Sequence, residues 1–306
     1  MSRTHKDIHG IVLLDKPVGL SSNAALQIVK RLYQARKAGH TGSLDPLASG
    51  MLPICLGEAT KFAGFLLDTD KRYRTVCRLG VTTTTGDSEG EVIAVKPVAG
   101  YTRAKVEEVL SRFTGPLSQI PPMYSALKQA GQPLYRLARR GLSVERTPRE
   151  VVIHSLKLLR YENDEIELEV SCSKGTYIRT LAEDIGAVLG CGAHVAALRR
   201  MSVGGFSEGQ MHSLEDLQRM AAEGADVLEQ ALLPMQCVLE HWPEVSLSDD
   251  AAYYLGQGQA VRVAEAPQDG WVKLYSRQGF LGIGQVLADG RVAPKRLISS
   301  TPRSFT

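Results

Sequence analysis

No stretch of this 306-residue chain approaches the roughly 18 consecutive apolar residues of a membrane span. Met1 to Gly10 is polar and lacks the apolar core of a secretory leader, so a cytoplasmic protein is expected. Cysteine is scarce: five residues at wide spacings, with no C-x-x-C pair. That argues against a disulfide framework and against a zinc cluster. Cys191 and His194 stand three apart, but no second such pair follows. Reduced thiols, several of them buried, are expected, and no metal. Aromatic residues make up only 6% of the chain, against 23% charged and 43% hydrophobic. This balance excludes a collagen, a disordered tail and a coiled coil, and leaves a globular chain of about two domains.

Net charge is also low, at +3, but it is unevenly spread. Lys71, Arg72, Arg74 and Arg78 crowd one stretch with no acid among them. Lys128, Arg136, Arg139, Arg140, Arg146 and Arg149 crowd another, opposed only by Glu145. Acids gather elsewhere, in Glu162 to Glu169 and from Glu208 to Glu240. A segregated basic surface points to RNA or a phosphate-rich partner. On charge alone, two solvated basic faces explain it equally well.

Helix and strand signals alternate through the first part of the chain. Gly10 to Leu14 is an apolar run closed by Asp15-Lys16-Pro17, which predicts a strand entering a turn. Ser21 or Ser22 can cap a helix carrying Ala25, Ile28, Val29 and Leu32 on one side. A second helix is expected after Thr102, and Ile166 to Ser173 alternates as a half-buried strand does. After Lys174-Gly175 the period changes, and Ile178, Leu181, Ala182, Ile185 and Leu189 form one helical stripe. Gln119 to Arg149 is a long, basic connection with few apolar residues, the kind that orders on a polyanion. A helical, acidic stretch from Leu214 to Leu233 precedes a break near residue 240. Beyond it, short glycine-punctuated strands predict a small all-β module.

His40 to Gly50 is dense in turn formers and reads as a loop, continuing through the low-polarity run Met51 to Ile54. Asp45-Pro46 has a plain structural explanation, since Asp before Pro commonly starts a turn and bonds nearby backbone amides. Against it, a carboxylate in apolar surroundings is costly unless a cation pairs with it. The residues alone leave both readings open.

Gly39-His-Thr-Gly-Ser-Leu-Asp-Pro-Leu-Ala-Ser-Gly50 resembles the signature loop of the TruB family of tRNA pseudouridine synthases, bacterial type. Gly10 to Ser21, Lys71-Arg-Tyr-Arg74, Ile120 to Lys128 and Cys172 to Arg179 resemble that family too, in the same order. Trp271 to Ile298 is similar to its small RNA-binding β-barrel of the PUA type. The resemblance implies an α+β fold, with a mixed, largely antiparallel sheet flanked by helices. A catalytic domain is expected over 1–240, with an RNA-binding insertion at about 119–150, and a PUA-like domain over 241–306.

The implied activity is conversion of the uridine at position 55, in the tRNA T-arm, to pseudouridine on a flipped-out base. Asp45 would be the nucleophile, attacking the sugar's anomeric carbon or carbon 6 of the base. Arg179 would pair with it, and Tyr73 would stack on the base and take part in removing the carbon-5 proton. Tyr177 and Leu198 would contact the base, and His40 would fill the space that the uridine leaves. Lys16, Lys128, Arg139 and Arg140 would hold phosphates. The resemblance implies no cofactor, no metal, no membrane and no obligatory protein partner beside the tRNA. Two rival readings are a guide-RNA-dependent synthase and a non-catalytic tRNA-folding chaperone, the latter also as a concurrent role.

Overall fold

The computed structural model describes residues 6–129 and 131–299. Its strands in chain order are β1 (Gly10–Lys16), β2 (Ala38–His40), β3 (Ser49–Leu56), β4 (Lys71–Leu79), β5 (Val81–Thr83), β6 (Val92–Val95), β7 (Gly115–Gln119), β8 (Lys128–Gln129) and β9 (Gln132–Pro133). They continue with β10 (Arg149–Glu162), β11 (Glu165–Cys172), β12 (Ala193–Val203), β13 (Glu244–Ser246), β14 (Val261–Arg262), β15 (Trp271–Ser276), β16 (Gly279–Val286) and β17 (Arg291–Leu297). The helices are α1 (Ser22–Leu32), α2 (Ala63–Leu67), α3 (Arg103–Ser111), α4 (Leu134–Ala138), α5 (Ile178–Leu189), α6 (Leu214–Glu223), α7 (Ala225–Glu229) and α8 (Asp249–Gly256).

The main sheet runs β1-β3-β12-β4-β11-β10-β7, with β2 also on β3. Every pairing in it is antiparallel except β3–β12, which meet in parallel through Arg199↔Ser49 and Arg200↔Gly50. This is the expected mixed, largely antiparallel sheet. The apolar runs of β1 and β3 are continuous because both faces are covered. Val12, Leu14, Leu52 and Ile54 join the large core with α1 and α5, while Ile11, Leu13, Met51 and Cys55 pack against Phe280 and Ile283 of the C-terminal sheet. Met51 to Ile54 is therefore strand, where the sequence suggested a continuing loop. Pro53 is tolerated there. Its carbonyl accepts from Thr41 N–H, so its missing N–H faces that same edge and costs the β1–β3 ladder nothing.

Helix boundaries follow their caps. Ser21 accepts from Ala24 N–H ahead of α1, and Thr102 from Lys105 N–H ahead of α3. The expected long helix from Leu214 divides into α6 and α7 at Gly224. The C-terminal sheet runs β13-β15-β16-β17-β14, curled as in a PUA-like half-barrel. That module is not all-β: α8 packs on it, capped by Ser248, and its eight residues fill the gap between β13 and β14. The basic run of β4 is likewise less isolated than the sequence suggested. Register places β11 beside it, so Arg74 pairs with Glu167 and Arg78 with Glu165. Acids distant along the chain neutralise much of that face. No described helix is long and apolar enough to cross a membrane.

Candidate active site

The residues between β2 and β3 are held from several sides, and this fixes Asp45. Ser22, at the start of α1, bonds Leu44 both ways: its hydroxyl donates to Leu44 O at 2.9 Å and accepts from Leu44 N–H at 2.7 Å. Gly19 N–H donates to Pro46 O, and Arg200 Nη2 donates to Gly42 O at 3.0 Å. Ala48 N–H closes the turn on Asp45 O, which leaves the Asp45 side chain free of local backbone duty. Its carboxylate instead meets Arg179, Oδ2 to Nη2, at 3.0 Å. The plain turn explanation for Asp45-Pro46 accounts for the main chain and not for the carboxylate.

Arg179 enters from the first turn of α5 and is only 4% exposed. Nη1 donates to Thr85 O at 2.8 Å, and Nη2 donates to Tyr124 O at 2.7 Å. A second carboxylate, Asp87, stands 3.6 Å from Nη1 and is itself buried. Asp87 is capped in turn by the Thr85 hydroxyl and by Glu89 N–H. One guanidinium thus bridges two carboxylates and two carbonyls, with no freedom to follow solvent. Burial pushes the Asp45 carboxyl above its ordinary range and Asp87 adds to this, while Arg179 opposes both.

Asp45, Tyr73, Tyr177, Arg179 and Leu198 line one cleft of about 260 Å³, together with Tyr124 and Arg200. Tyr73 projects inward from β4, because the odd positions of that strand face the core. Burial raises its phenol, and a hydrogen bond with Arg200 works the other way. Tyr177 is set by Gln119 at the end of β7. The Gln119 amide accepts from Tyr177 N–H at 3.0 Å and donates to Tyr177 O at 3.3 Å.

His40 and Lys16 lie outside the cleft lining. His40 ends β2 half-buried. Burial, helped by Arg200, lowers its pKa and keeps the ring neutral, with Nδ1 buried and unbonded. The expected role of Lys16 in holding phosphate does not stand. The residue is 0% exposed, and its ammonium donates to Pro17 O at 2.8 Å and Leu20 O at 2.7 Å, tying the turn that docks on the Asp45 loop. Burial lowers its pKa to about 8. Lys128, Arg139 and Arg140 lie exposed on the insertion, and none forms an ion pair among the described residues. There the chain makes the β8–β9 hairpin and α4, anchored by buried Leu134, with Arg139 over the Tyr135 ring at 5.6 Å. The segment is more built than its composition suggested.

Two site residues escaped the sequence reading, Asp87 and Arg200. Arg200 is 1% exposed and donates to Met51 O at 2.7 Å. Its signal was parity: on β12 it shares the inward phase of Leu198 and Val203, give or take a bulge. Asp87 follows the threonine run 82–85 and Gly86, a turn with no distinguishing pattern.

The chain is similar to known proteins along almost its whole length. Residues 30–178 match the family described as TruB family pseudouridylate synthase (N terminal domain). Residues 179–240 match the tRNA pseudouridylate synthase B C-terminal domain, and 243–298 match Pseudouridine synthase II TruB, C-terminal. The chain is 60% identical over 296 residues to tRNA pseudouridine synthase B of Nitrosococcus oceani, covering 96% of each. It is 56% identical to the protein of that name from Pseudomonas aeruginosa, covering 98% of this chain and 99% of the relative. Among solved structures it is similar to a chain of a Cbf5-Nop10-Gar1 complex, with 26% identity and a TM-score of 0.71 over 93% of this chain and 83% of that one.

Proposed function

The chain belongs to the TruB family of pseudouridylate synthases, and from that premise we propose that it isomerises a uridine of tRNA to pseudouridine, at position 55 of the T-arm. The observation that carries this reading is the Asp45–Arg179 ion pair at 3.0 Å, lying in a cleft lined by Tyr73, Tyr177 and Leu198. The reaction breaks the bond between the sugar's anomeric carbon and N1 and forms one to carbon 5. The carbon-5 proton is lost and N1 gains one, so atoms and electrons balance and no redox partner is called for.

A base leaves its stack and enters the cleft, at an unstacking cost of about a few kcal/mol. The apolar side of Leu198 and the flat ring of Tyr73 replace part of the stacking. His40, neutral and outside the cleft lining, offers a ring to occupy the gap left in the RNA. Asp45 attacks as the ionised carboxylate, and the Arg179 fork fixes its direction. Tyr73 stays a neutral phenol near pH 7, since burial raises it, and so acts as a hydrogen-bonding and stacking group unless a neighbour takes its proton.

We read residues 241–306 as a second RNA-binding module and the insertion as a clamp on the T-arm backbone. The enzyme works in the cytoplasm without an obligatory protein partner. The relatives at 54–60% identity, named tRNA pseudouridine synthase B, support this reading more strongly than the 26% likeness to a chain of the Cbf5-Nop10-Gar1 complex supports a multiprotein one. The test is to incubate the purified protein with one unmodified tRNA transcript and map pseudouridine chemically. A single new pseudouridine at position 55, absent with Asp45→Asn, is expected. Modification elsewhere, or none without added protein, would overturn the assignment of position or of autonomy.

A further inference from the structure

Arg200 has the largest fully buried side chain among the described residues. One step back along β12, Arg199 takes two carboxylates, Asp15 at 2.8 Å and Glu208 at 3.0 Å. Arg200 forms no ion pair among the described residues. Its Nε and Nη2 donate to the Met51 and Gly42 carbonyls instead, and these neutral oxygens bond the cation without balancing its charge. A charge held out of water without a counter-ion is costly. Where it faces a reacting group, such a charge is a candidate for function.

The group it faces is Tyr73. In the pairing of β12 with β4, Arg200 stands directly opposite Tyr73, which sets their Cβ atoms about 5 Å apart on one face of the sheet. Both residues line the cleft that holds Asp45, and both are buried. A guanidinium has no acceptor, so the hydrogen bond between them runs from Arg200 to the phenol oxygen. The other titratable groups near that oxygen are already engaged or neutral. Asp45 pairs with Arg179 at 3.0 Å, and Lys71, two residues back on β4, donates to Leu67 O and Thr69 O. Burial pushes the Cys172 thiol of β11 up to about 11. Burial also works against a phenolate at Tyr73, and Arg200 is the strongest influence in its favour.

Resting on the reading of the chain as a tRNA-modifying synthase, we propose that Arg200 is a positioning residue for Tyr73, steadying the phenol oxygen while that oxygen takes the carbon-5 proton. The phenol first gives its own proton to water, with the guanidinium as counter-ion. Once carbon 5 has bonded the sugar, its C–H bond breaks and the electron pair returns to the ring. The proton passes to the Tyr73 oxygen. N1 takes a proton from water, so one proton leaves the cleft and one returns. Arg200 acts through Tyr73 and not on the base. Its charge is in place before substrate arrives, and nothing has to reorganise at the moment of transfer.

The test uses the full-length enzyme and three unmodified tRNA transcripts, made with ordinary uridine, with uridine deuterated at carbon 5, and with 5-fluorouridine. Fluorine cannot leave as a cation, so the last substrate is detached and rejoined without loss of a carbon-5 proton. Single-turnover rates at saturating tRNA are measured beside tRNA affinity. Arg200→Lys, whose shorter ammonium cannot reach both carbonyls and the phenol, should slow pseudouridine formation by about tenfold, with affinity within about threefold. Arg200→Gln, which removes the charge, should be slower still. In both, 5-fluorouridine should be consumed within about threefold of the wild-type rate, and deuterium should slow the reaction by about twofold more than in wild type. Tyr73→Phe keeps the stacking ring and loses the oxygen, so it should show the same selectivity. Equal losses on uridine and 5-fluorouridine, with the isotope effect unchanged, would overturn the proposal and leave Arg200 a support for the β3–β12 seam. A Tyr73→Phe enzyme within about twofold of wild type on uridine would overturn it too. Should Arg200→Gln fail to fold, Arg200→Lys carries the same comparison, and a uridine rate within about twofold of wild type rejects the proposal. A wild-type protein that makes no pseudouridine in tRNA would sink the functional reading itself, and that is seen before any variant is made.

Discussion

The Arg179 guanidinium meets two carbonyls and two carboxylates in near-complete burial, whereas Arg139 and Arg140 in the insertion are exposed and meet no carboxylate among the described residues. The first arrangement fixes one geometry before substrate arrives. In low dielectric, such fixed charges act strongly on whatever reacts beside them. The second leaves cations hydrated and free, which suits a phosphate backbone whose bound counterions are released on contact. The same residue type thus serves direction in one place and attraction in the other, and what decides is the number of partners around it.

The comparison breaks most sharply at Asp45. Asp45→Asn keeps the shape and removes the proposed nucleophile, so turnover should vanish while tRNA affinity stays within roughly tenfold, or about 1.4 kcal/mol. Quench-flow and filter binding on the same preparation check this, and turnover near the wild-type rate would remove Asp45 from its role. Arg179→Lys keeps the charge but strands at least one of the acceptors at Thr85, Tyr124, Asp45 and Asp87. A loss of about a hundredfold in single-turnover rate, or roughly 2.7 kcal/mol, is expected. A rate close to wild type would assign Arg179 to folding.

On the other side of the comparison, Arg139→Ala with Arg140→Ala should weaken binding and spare the chemical step. If each arginine covers one phosphate, the slope of log affinity against log salt becomes shallower by about 1.5. Titration across salt concentrations reads it directly, and an unchanged slope would show that these arginines do not reach the backbone. Lys16→Met sharpens the contrast with the smallest effect on RNA. It leaves two carbonyls unbonded, costing about 1–3 kcal/mol of stability, with the salt slope unaltered. Linkage gives a further check. The folded pKa of Lys16, about 8, lies below its usual 10.5, so the unfolded chain binds more protons between those values. Wild-type stability should therefore gain from this residue as pH rises from about 8 toward 10.5. The Lys16→Met protein should lack that gain in denaturant titrations.

Much of the frame was legible because its signals are local. Ser21 and Thr102 cap helices by bonding amides three residues on, and β11 and α5 show their periods over eight and twelve residues. The resemblance then added Asp45, Tyr73, Arg179, Tyr177 and Leu198, and the structure brings all five to one cleft. What stayed hidden depends on register or on distant partners. Glu167 neutralises Arg74 from 93 positions away, which no sequence neighbourhood reveals. Lys16 looked like a phosphate ligand because its type and position fit, but the carbonyls of Pro17 and Leu20 claim its ammonium. Asp87 and Arg200 matter through what they touch, and a polar residue's burial cannot be read from its own letter.

The parallel seam between β3 and β12 is only two residue pairs long, yet it joins positions about 150 apart in the chain. It is so close that a Cβ on Gly50 would fall 2.3 Å from Arg200 O. On one side of it lies the loop carrying Asp45, and on the other lie Leu198 and Arg200. The hairpins β10–β11 and β15–β16 close over short loops and can form early, but this joint must wait for a long loop to close, and its entropy is lost before any contact repays it. Catalytic competence should therefore be among the last properties to return on refolding, later than the circular dichroism of the strands. A nascent chain still missing β12 carries Asp45 without the far wall of the cleft.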